Sequence, residues 1–473
     1  MRAKIIRISL LDNRFGDPRQ KGGLGVRIAE ALRDNRARLP EVIDLLARFQ
    51  DRALHEWETL GLTVYSARGR QLTPGDDEAF DEPLFTLGGI DDQEFAWINT
   101  HNSMGVVRLR DKENGCSIQL EIRSRFDHGD KQYFLNHLLS KVFGGSLADD
   151  VELGGNSFWE LLLAIVFRHR LLEACKVGLF KQYRRYERND LRFRGQANAD
   201  AHLRQNVPFL GRIAYTSHEI TFDNPINHLI RHAMARVSTK WRSILSGARE
   251  FNELRHQYEQ LTPSWHKGRI FACLEKNMRP IRHPFFHGYY EPLRRISVAL
   301  LRSEGASLFD SAYEAEGVVF DGSWLWEKYL WTLLKPLHFQ HADNRKGSDG
   351  WTILGTPFYP DFYRAGQDPS EPRIVLDAKY KAAGRSANDI RQVLAYMFML
   401  KAQHGGLIKP EEKPDESDPR STNIVWRDET RGTWYDLVVH IPHAAANVRE
   451  FRTQMQDSEK RFADTLSGMQ PAT

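Results

Sequence analysis

Asp361, Asp377 and Lys379 are the residues whose types and spacing point most directly to joint chemistry. Asp361 follows Pro360 after the aromatic-rich run Thr356-Pro357-Phe358-Tyr359, and Asp377-Ala378-Lys379 lies within the β-rich run from Arg373 to Lys381. The polar turn from Gly366 to Pro372 separates these two short apolar runs, which predicts a β-hairpin. Side chains alternate faces along a strand, so Asp377 and Lys379 share one face, and the hairpin can bring Asp361 alongside them. Two carboxylates and a lysine meeting at strand ends suit phosphodiester hydrolysis assisted by a divalent cation. Hard oxygen ligands hold Mg²⁺. The cation makes a nucleophile of water and neutralises charge developing on phosphate. A neighbouring lysine can orient that water and stabilise the transition state. By itself Asp-x-Lys reads as a solvated ion pair, so the surrounding elements decide.

A helix is predicted just downstream. Ser386-Ala387-Asn388-Asp389 has the form of a capping box, and Ile390, Val393, Leu394, Met397 and Leu400 recur at helical spacing. Gln392 and Tyr396 are four residues apart and therefore share a face of that helix. Upstream, Trp324 to Trp331 predicts an apolar helix carrying one acid, Glu327, with Pro336 marking its end. An acid on so apolar a helix requires a metal or a charged partner such as a lysine, because burying an unpaired charge is costly.

In this order, the parts resemble the PD-(D/E)XK nuclease core. Glu327 fills the place of the acidic helix, Pro360-Asp361 the second strand, Asp377-x-Lys379 the third, and Gln392-x-x-x-Tyr396 the following helix. The acid before the lysine is Asp rather than Glu, a variant accepted in that superfamily. The resemblance implies Mg²⁺, with Mn²⁺ as the alternative. Asp361, Asp377, the Ala378 carbonyl and Glu327 would hold it, Lys379 would position the attacking water, and Gln392 and Tyr396 would orient the site or the DNA.

At 473 residues the chain is long enough for two or three domains, and 41% apolar and 11% aromatic residues suffice for real cores. No run of about 18 apolar residues is present, and Met1 to Leu10 reads as an alternating strand too interrupted for a signal peptide. Cys116, Cys175 and Cys273 are odd in number and widely spaced, which predicts neither a disulfide framework nor a cysteine zinc site and suits a reducing cytoplasm. The net charge of +4 is mild. Between Arg168 and Arg194, however, nine Lys or Arg stand against three acids, interleaved with Phe180, Tyr183, Tyr186 and Phe193. Such a stripe fits either phosphate contacts or a solvated helical face. His218, His228 and His232 show no repeated ligand spacing, and Asn227-His228 is expected to satisfy backbone or pack in a helix.

Further segments are similar to the McrC family, the nuclease subunits of modification-dependent restriction systems. They are Ile118 to Phe126 followed by a leucine-rich helix, Arg194-Gly195, Asn206-Val207-Pro208, Phe222 to Asn227, Tyr290-Glu291-Pro292-Leu293, Trp326-Glu327 and Leu376 to Lys381. The similarity spans roughly residues 95 to 445. The expected fold class is a multidomain α+β and α/β chain. A mixed α/β, barrel-like and helical N-terminal region precedes the nuclease core. Domains are expected at 1–95 (accessory or interaction module), 96–310 (partner-binding, β-rich then helical) and 311–473 (endonuclease). The chain has no G-x-x-x-x-G-K-[ST] loop, so nucleotide hydrolysis is expected elsewhere. The resemblance implies an McrB-like AAA+ GTPase partner that senses modified double-stranded DNA, translocates and is stimulated by this chain, and dimerisation through the nuclease domain. No membrane association is expected. A stand-alone repair or recombination nuclease and a non-cleaving activator of a motor are the alternative readings.

Overall fold

Residues Ile6, Ile8 and Leu10 alternate with polar neighbours, and they are buried on one face of the strand Ile6–Leu11. The computed structural model describes residues 5–60, 62–65, 82–89, 96–111, 113–128, 131–144, 156–241, 249–302, 313–342, 351–353, 356–364, 373–381, 384–412, 420–426 and 429–469. The predicted turn from Gly366 to Pro372 lies outside these.

The chain divides into two units, one combining Met1–Trp159 with Asp310–Thr473, the other Glu160–Phe309. In the first, a five-stranded sheet has the order Ile6–Leu11, Ser117–Arg123, Ser103–Asp111, Tyr313–Asp321, Thr63–Tyr65. Strands Ser103–Asp111 and Ser117–Arg123 pair as an antiparallel hairpin, with Gly115 before the second strand at φ 69, a conformation glycine adopts without steric penalty. Helices Leu39–Ala47 and Leu54–Leu60 contribute Val42, Leu45, Leu46 and Trp57 to the core beneath the sheet.

That sheet corrects the expected domain limits. Tyr313–Asp321 pairs with both Ser103–Asp111 and Thr63–Tyr65, while Ile6–Leu11 pairs in parallel with Ser117–Arg123. Residues from all three expected domains therefore share one sheet, and neither residue 95 nor residue 310 separates the segments that build it. Parallel and crossover pairings join distant strands, which composition along the chain does not register. Among the described residues the sheet is open, with edges at Ile6–Leu11 and Thr63–Tyr65, rather than closed into a barrel.

A second five-stranded sheet in this unit has the order Phe362–Arg364, Ile374–Ala378, His404–Glu411, Glu429–His440, Arg420–Trp426. Its three central strands run parallel, and the edge strands run antiparallel to them. Ile374, Val375 and Leu376 are all buried, the continuous apolar run expected of a strand covered on both faces. Helix Ala387–Leu400 lays Val393, Tyr396 and Met397 on this sheet beside Val375, Leu407 and Trp434. Gly405 permits that approach, since a Cβ there would collide with the Met397 thioether. Helix Gly322–Leu334 buries Trp326 and Tyr329 completely. Truncating either aromatic to alanine would cost about 3–5 kcal/mol.

In the second unit, strands Gln182–Asp190, Ile213–Thr221 and Gln196–Ala197 form a small antiparallel sheet. Four of its helices are Pro225–Lys240, Arg249–Leu261, Ile270–Lys276 and His287–Arg302. Asn224 caps the first of these with Pro225 at its start, and Asn227 donates to the carbonyls of Phe180 and Phe222, the backbone role expected of it. The basic stripe is not one helical face. It runs from the end of helix Asn156–Cys175 into the exposed strand Gln182–Asp190. No described helix is long and apolar enough to cross a membrane.

Candidate active site

The sequence-predicted residues fall at the ends of two paired strands of the second sheet, Phe362–Arg364 and Ile374–Ala378, and on the helices Gly322–Leu334 and Ala387–Leu400. Register across the hairpin pairs Phe362 with Leu376, which sets Asp361 opposite Asp377 at the ends of their strands. The Oδ2 of Asp361 accepts the Ala378 N–H at 2.8 Å, fixing that carboxylate to the strand that carries Asp377. Asp377 is 2% exposed, and its Oδ2 lies 2.7 Å from Lys379 Nζ without a well-aligned hydrogen bond. Lys379 follows the last residue of the strand and donates to Gln392 Oε1 at 3.2 Å.

Gln392 in turn donates to Tyr396 OH at 3.0 Å, and that hydroxyl donates to the Tyr359 carbonyl at 3.3 Å. The helix carrying both residues starts at the predicted capping box, with Ser386 and Asp389 each accepting the other's backbone N–H. A chain of polar contacts thus runs from Asp377 through Lys379, Gln392 and Tyr396 back to the residue two before Asp361.

Electrostatics mark the same spot. Burial raises the Asp361 carboxyl well above the usual carboxylate range, and the charges of Asp377 and Glu327 raise it further. Burial also raises Asp377, with Lys379 opposing the shift. Burial works against the Lys379 ammonium, but Asp377, Asp361 and Asp389 outweigh it and raise its pKa, which favours the charged form. Burial holds the Tyr396 phenol up at about 12, which keeps it protonated as a donor.

A divalent cation fits these groups. Two carboxylates are held together in a dry setting that disfavours their charge, and Asp377 Oδ2 has no well-aligned donor. Asp361, Asp377 and the Ala378 carbonyl supply the hard oxygens Mg²⁺ prefers. Glu327 stands slightly apart. Its Oε1 lies 3.1 Å from His341 Nε2 and 3.8 Å from Lys328 Nζ, and its charge reaches Asp361. Its partners are therefore a histidine as well as the lysine that the apolar helix suggested.

Three side chains in this network were not singled out from sequence. His341 sits with Nδ1 2.8 Å from the Asp361 carbonyl and Nε2 2.8 Å from Lys328 Nζ, with Glu327 Oε1 3.1 Å from the same nitrogen. It follows the helix in an irregular segment, where no periodicity marks it. Asp389 was legible as a helix cap, but it also ion-pairs with Lys381 and lies 3.9 Å from Lys379. The charged Lys381 had no distinguishing spacing.

A family model described as McrBC 5-methylcytosine restriction system component matches residues 98–410. No curated protein matches. Among solved structures, one similar chain belongs to a refined half-complex from a tetradecameric assembly of Thermococcus gammatolerans McrB AAA+ hexamers with bound McrC. The identity is 14%, with 98% of this chain and 100% of that chain covered at a TM-score of 0.45. Another comes from a cryo-EM structure of the Thermococcus gammatolerans McrBC complex, at 15% identity and a TM-score of 0.30, covering 70% of this chain and 87% of that one.

Proposed function

This chain belongs to the family of McrBC 5-methylcytosine restriction system components, and we propose that it is the subunit that cuts DNA. The observation that carries the reading is the pairing of two carboxylates, the half-buried Asp361 and the buried Asp377, with Lys379 Nζ 2.7 Å from the second. Asp361, Asp377 and the Ala378 carbonyl would hold Mg²⁺ or Mn²⁺, with Glu327 contributing charge from the side. When bound, the cation would lower the pKa of water and offset charge on the scissile phosphate. Lys379 keeps its proton and orients the nucleophile and phosphate oxygens through its ammonium. Gln392 and Tyr396 hold the ammonium in place and present donors toward the strand. His341 steadies Asp361 through its main chain.

The substrate is double-stranded DNA carrying a base modification, and the partner is an McrB-like AAA+ GTPase that moves along it and that this chain stimulates. The partner follows from family membership and from the missing phosphate-binding loop, which leaves this chain no nucleotide site of that type. Two copies would meet through the nuclease sheet to cut both strands, in the cytoplasm. The test is cleavage of methylated duplex by the purified chain with its partner, GTP and Mg²⁺. Cleavage by wild type and none by Asp377→Asn, with GTP turnover retained, supports the reading. Cleavage by Asp377→Asn at the wild-type rate overturns it.

A further inference from the structure

His128, Glu412 and His443 come from three separate parts of the first unit. His128 follows strand Ser117–Arg123, Glu412 follows strand His404–Glu411, and His443 follows strand Glu429–His440. The last two strands are parallel neighbours that pair Glu411 with His440, so both residues leave the sheet at its carboxyl edge. That edge also carries Lys379, whose strand runs parallel to His404–Glu411. One potential ligand atom from each of the three side chains lies within 4.8 Å of the others. Among the described residues, no other three His, Cys, Asp or Glu side chains meet that condition.

The local geometry is that of ligands rather than of hydrogen-bonding partners. His128 Nε2 is buried without a hydrogen bond, and Glu412 Oε1 lies 3.4 Å from it. That separation is long for a hydrogen bond. It matches the spacing of two donors on one tetrahedral zinc, which at about 2.0–2.1 Å from the ion stand about 3.3 Å apart. The His128 and His443 rings are 4.1 Å apart between centroids and inclined at 51°, so two imidazoles converge beside a carboxylate. A cavity of about 310 Å³ opens beside them, lined by Phe126, Lys131, Tyr133 and Phe451 among others.

We propose that His128, Glu412 and His443 bind a zinc-class divalent transition ion at a site separate from the Asp361–Asp377 pair. Two imidazoles select such an ion over Mg²⁺, whose preferred donors are oxygens. Three protein ligands leave a fourth position open to solvent. The ion links the loop after Ser117–Arg123 to the carboxyl edge of the second sheet, clasping the two sheets of this unit. Phe126, two residues before His128, packs on Tyr380 at 5.3 Å, so the clasp lies one contact from the residue that follows Lys379.

Untagged full-length protein dialysed against Zn²⁺ with excess Mg²⁺ present should retain about one equivalent of zinc per chain. Asp361→Asn/Asp377→Asn should retain the same amount. His128→Ala and His443→Ala should each lose about tenfold or more in zinc affinity, and Glu412→Gln should weaken it as well. Co²⁺ in place of zinc should give visible absorption in wild type that His443→Ala abolishes. His443 is exposed, so its replacement leaves the fold intact and keeps the test decisive. No retained zinc in wild type, or undiminished zinc in both histidine variants, overturns the site.

Discussion

Asp361 and Ala378 are joined by a hydrogen bond, the carboxylate accepting the backbone N–H at 2.8 Å. This bond holds Asp361 against the strand end that bears Asp377, so two acids are kept close although burial disfavours the charge of both and Asp377 further raises Asp361. The arrangement suits a cation and is costly without one.

Asp361→Asn keeps an acceptor for the Ala378 N–H and removes the charge. Without metal it should raise Tm near neutral pH. The sign follows from the raised folded pKa of Asp361. Such a group contributes stability below its unfolded value of 3.8, and that contribution is lost as pH rises through the folded value. Wild type should therefore gain stability as pH falls toward 4 relative to the variant, and excess Mg²⁺ should narrow the gap. Cleavage should fall by about 10³-fold or more, since a cation supplies several kcal/mol to such a reaction. Thermal melts across pH with and without Mg²⁺, paired with cleavage rates, check this. A lower Tm for the variant in metal-free buffer at pH 7 would count against the repulsive pair.

His341 touches both the Asp361 carbonyl and Glu327, so it acts by positioning. His341→Ala should lower cleavage by about 10–100-fold, the usual cost of losing an outer support of a metal ligand. The loss should shrink as Mg²⁺ is raised, because a loosened ligand weakens metal affinity first. Metal titration of the cleavage rate separates this from a folding defect, which added Mg²⁺ would not rescue.

The parts of the candidate site were legible in sequence because they are local. Asp377 and Lys379 are two residues apart on one strand, Gln392 and Tyr396 are four apart on one helix, and Ser386–Asp389 is a self-contained cap. Strand and helix periods carry such information directly. The domain limits were not legible, because Tyr313–Asp321 joins a sheet whose other members lie some two hundred residues upstream. Nor were His128, Glu412 and His443, which are brought together by the pairing of whole strands. Side chains that meet only through tertiary structure leave no spacing to read.

In the second unit, acid should destabilise the fold through two histidines. Burial, with the nearby charges of His228 and Arg231, holds His232 at about 4, and burial holds His169 at about 4 as well. The unfolded chain takes up these protons near 6.5, the folded chain only near 4, so stability present above 6.5 is lost as pH falls through that window. His232→Gln should show a shallower fall in Tm between pH 7 and pH 4.5 than wild type. Groups common to both proteins cancel in the comparison of slopes, and equal slopes would rule out His232 as the cause.

Lys379 decides whether the centre is catalytic or merely an ion pair. Its side chain is 24% exposed, and its ammonium sits 2.7 Å from Asp377, 3.2 Å from Gln392 and 3.9 Å from Asp389, a setting sized for one compact cation. Arginine keeps the charge but brings a broad planar fork that requires more room and spreads its donors. Lys379→Arg should therefore cut DNA almost as poorly as Lys379→Ala, while calorimetry still detects Mg²⁺ on the carboxylates of both. A surface ion pair would behave otherwise, since exposed pairs contribute only about 0–1 kcal/mol and tolerate the exchange. The two variants also separate charge from shape. If Lys379→Arg retained full cleavage while Lys379→Ala lost it, charge alone would suffice and the orienting role of the ammonium would fall.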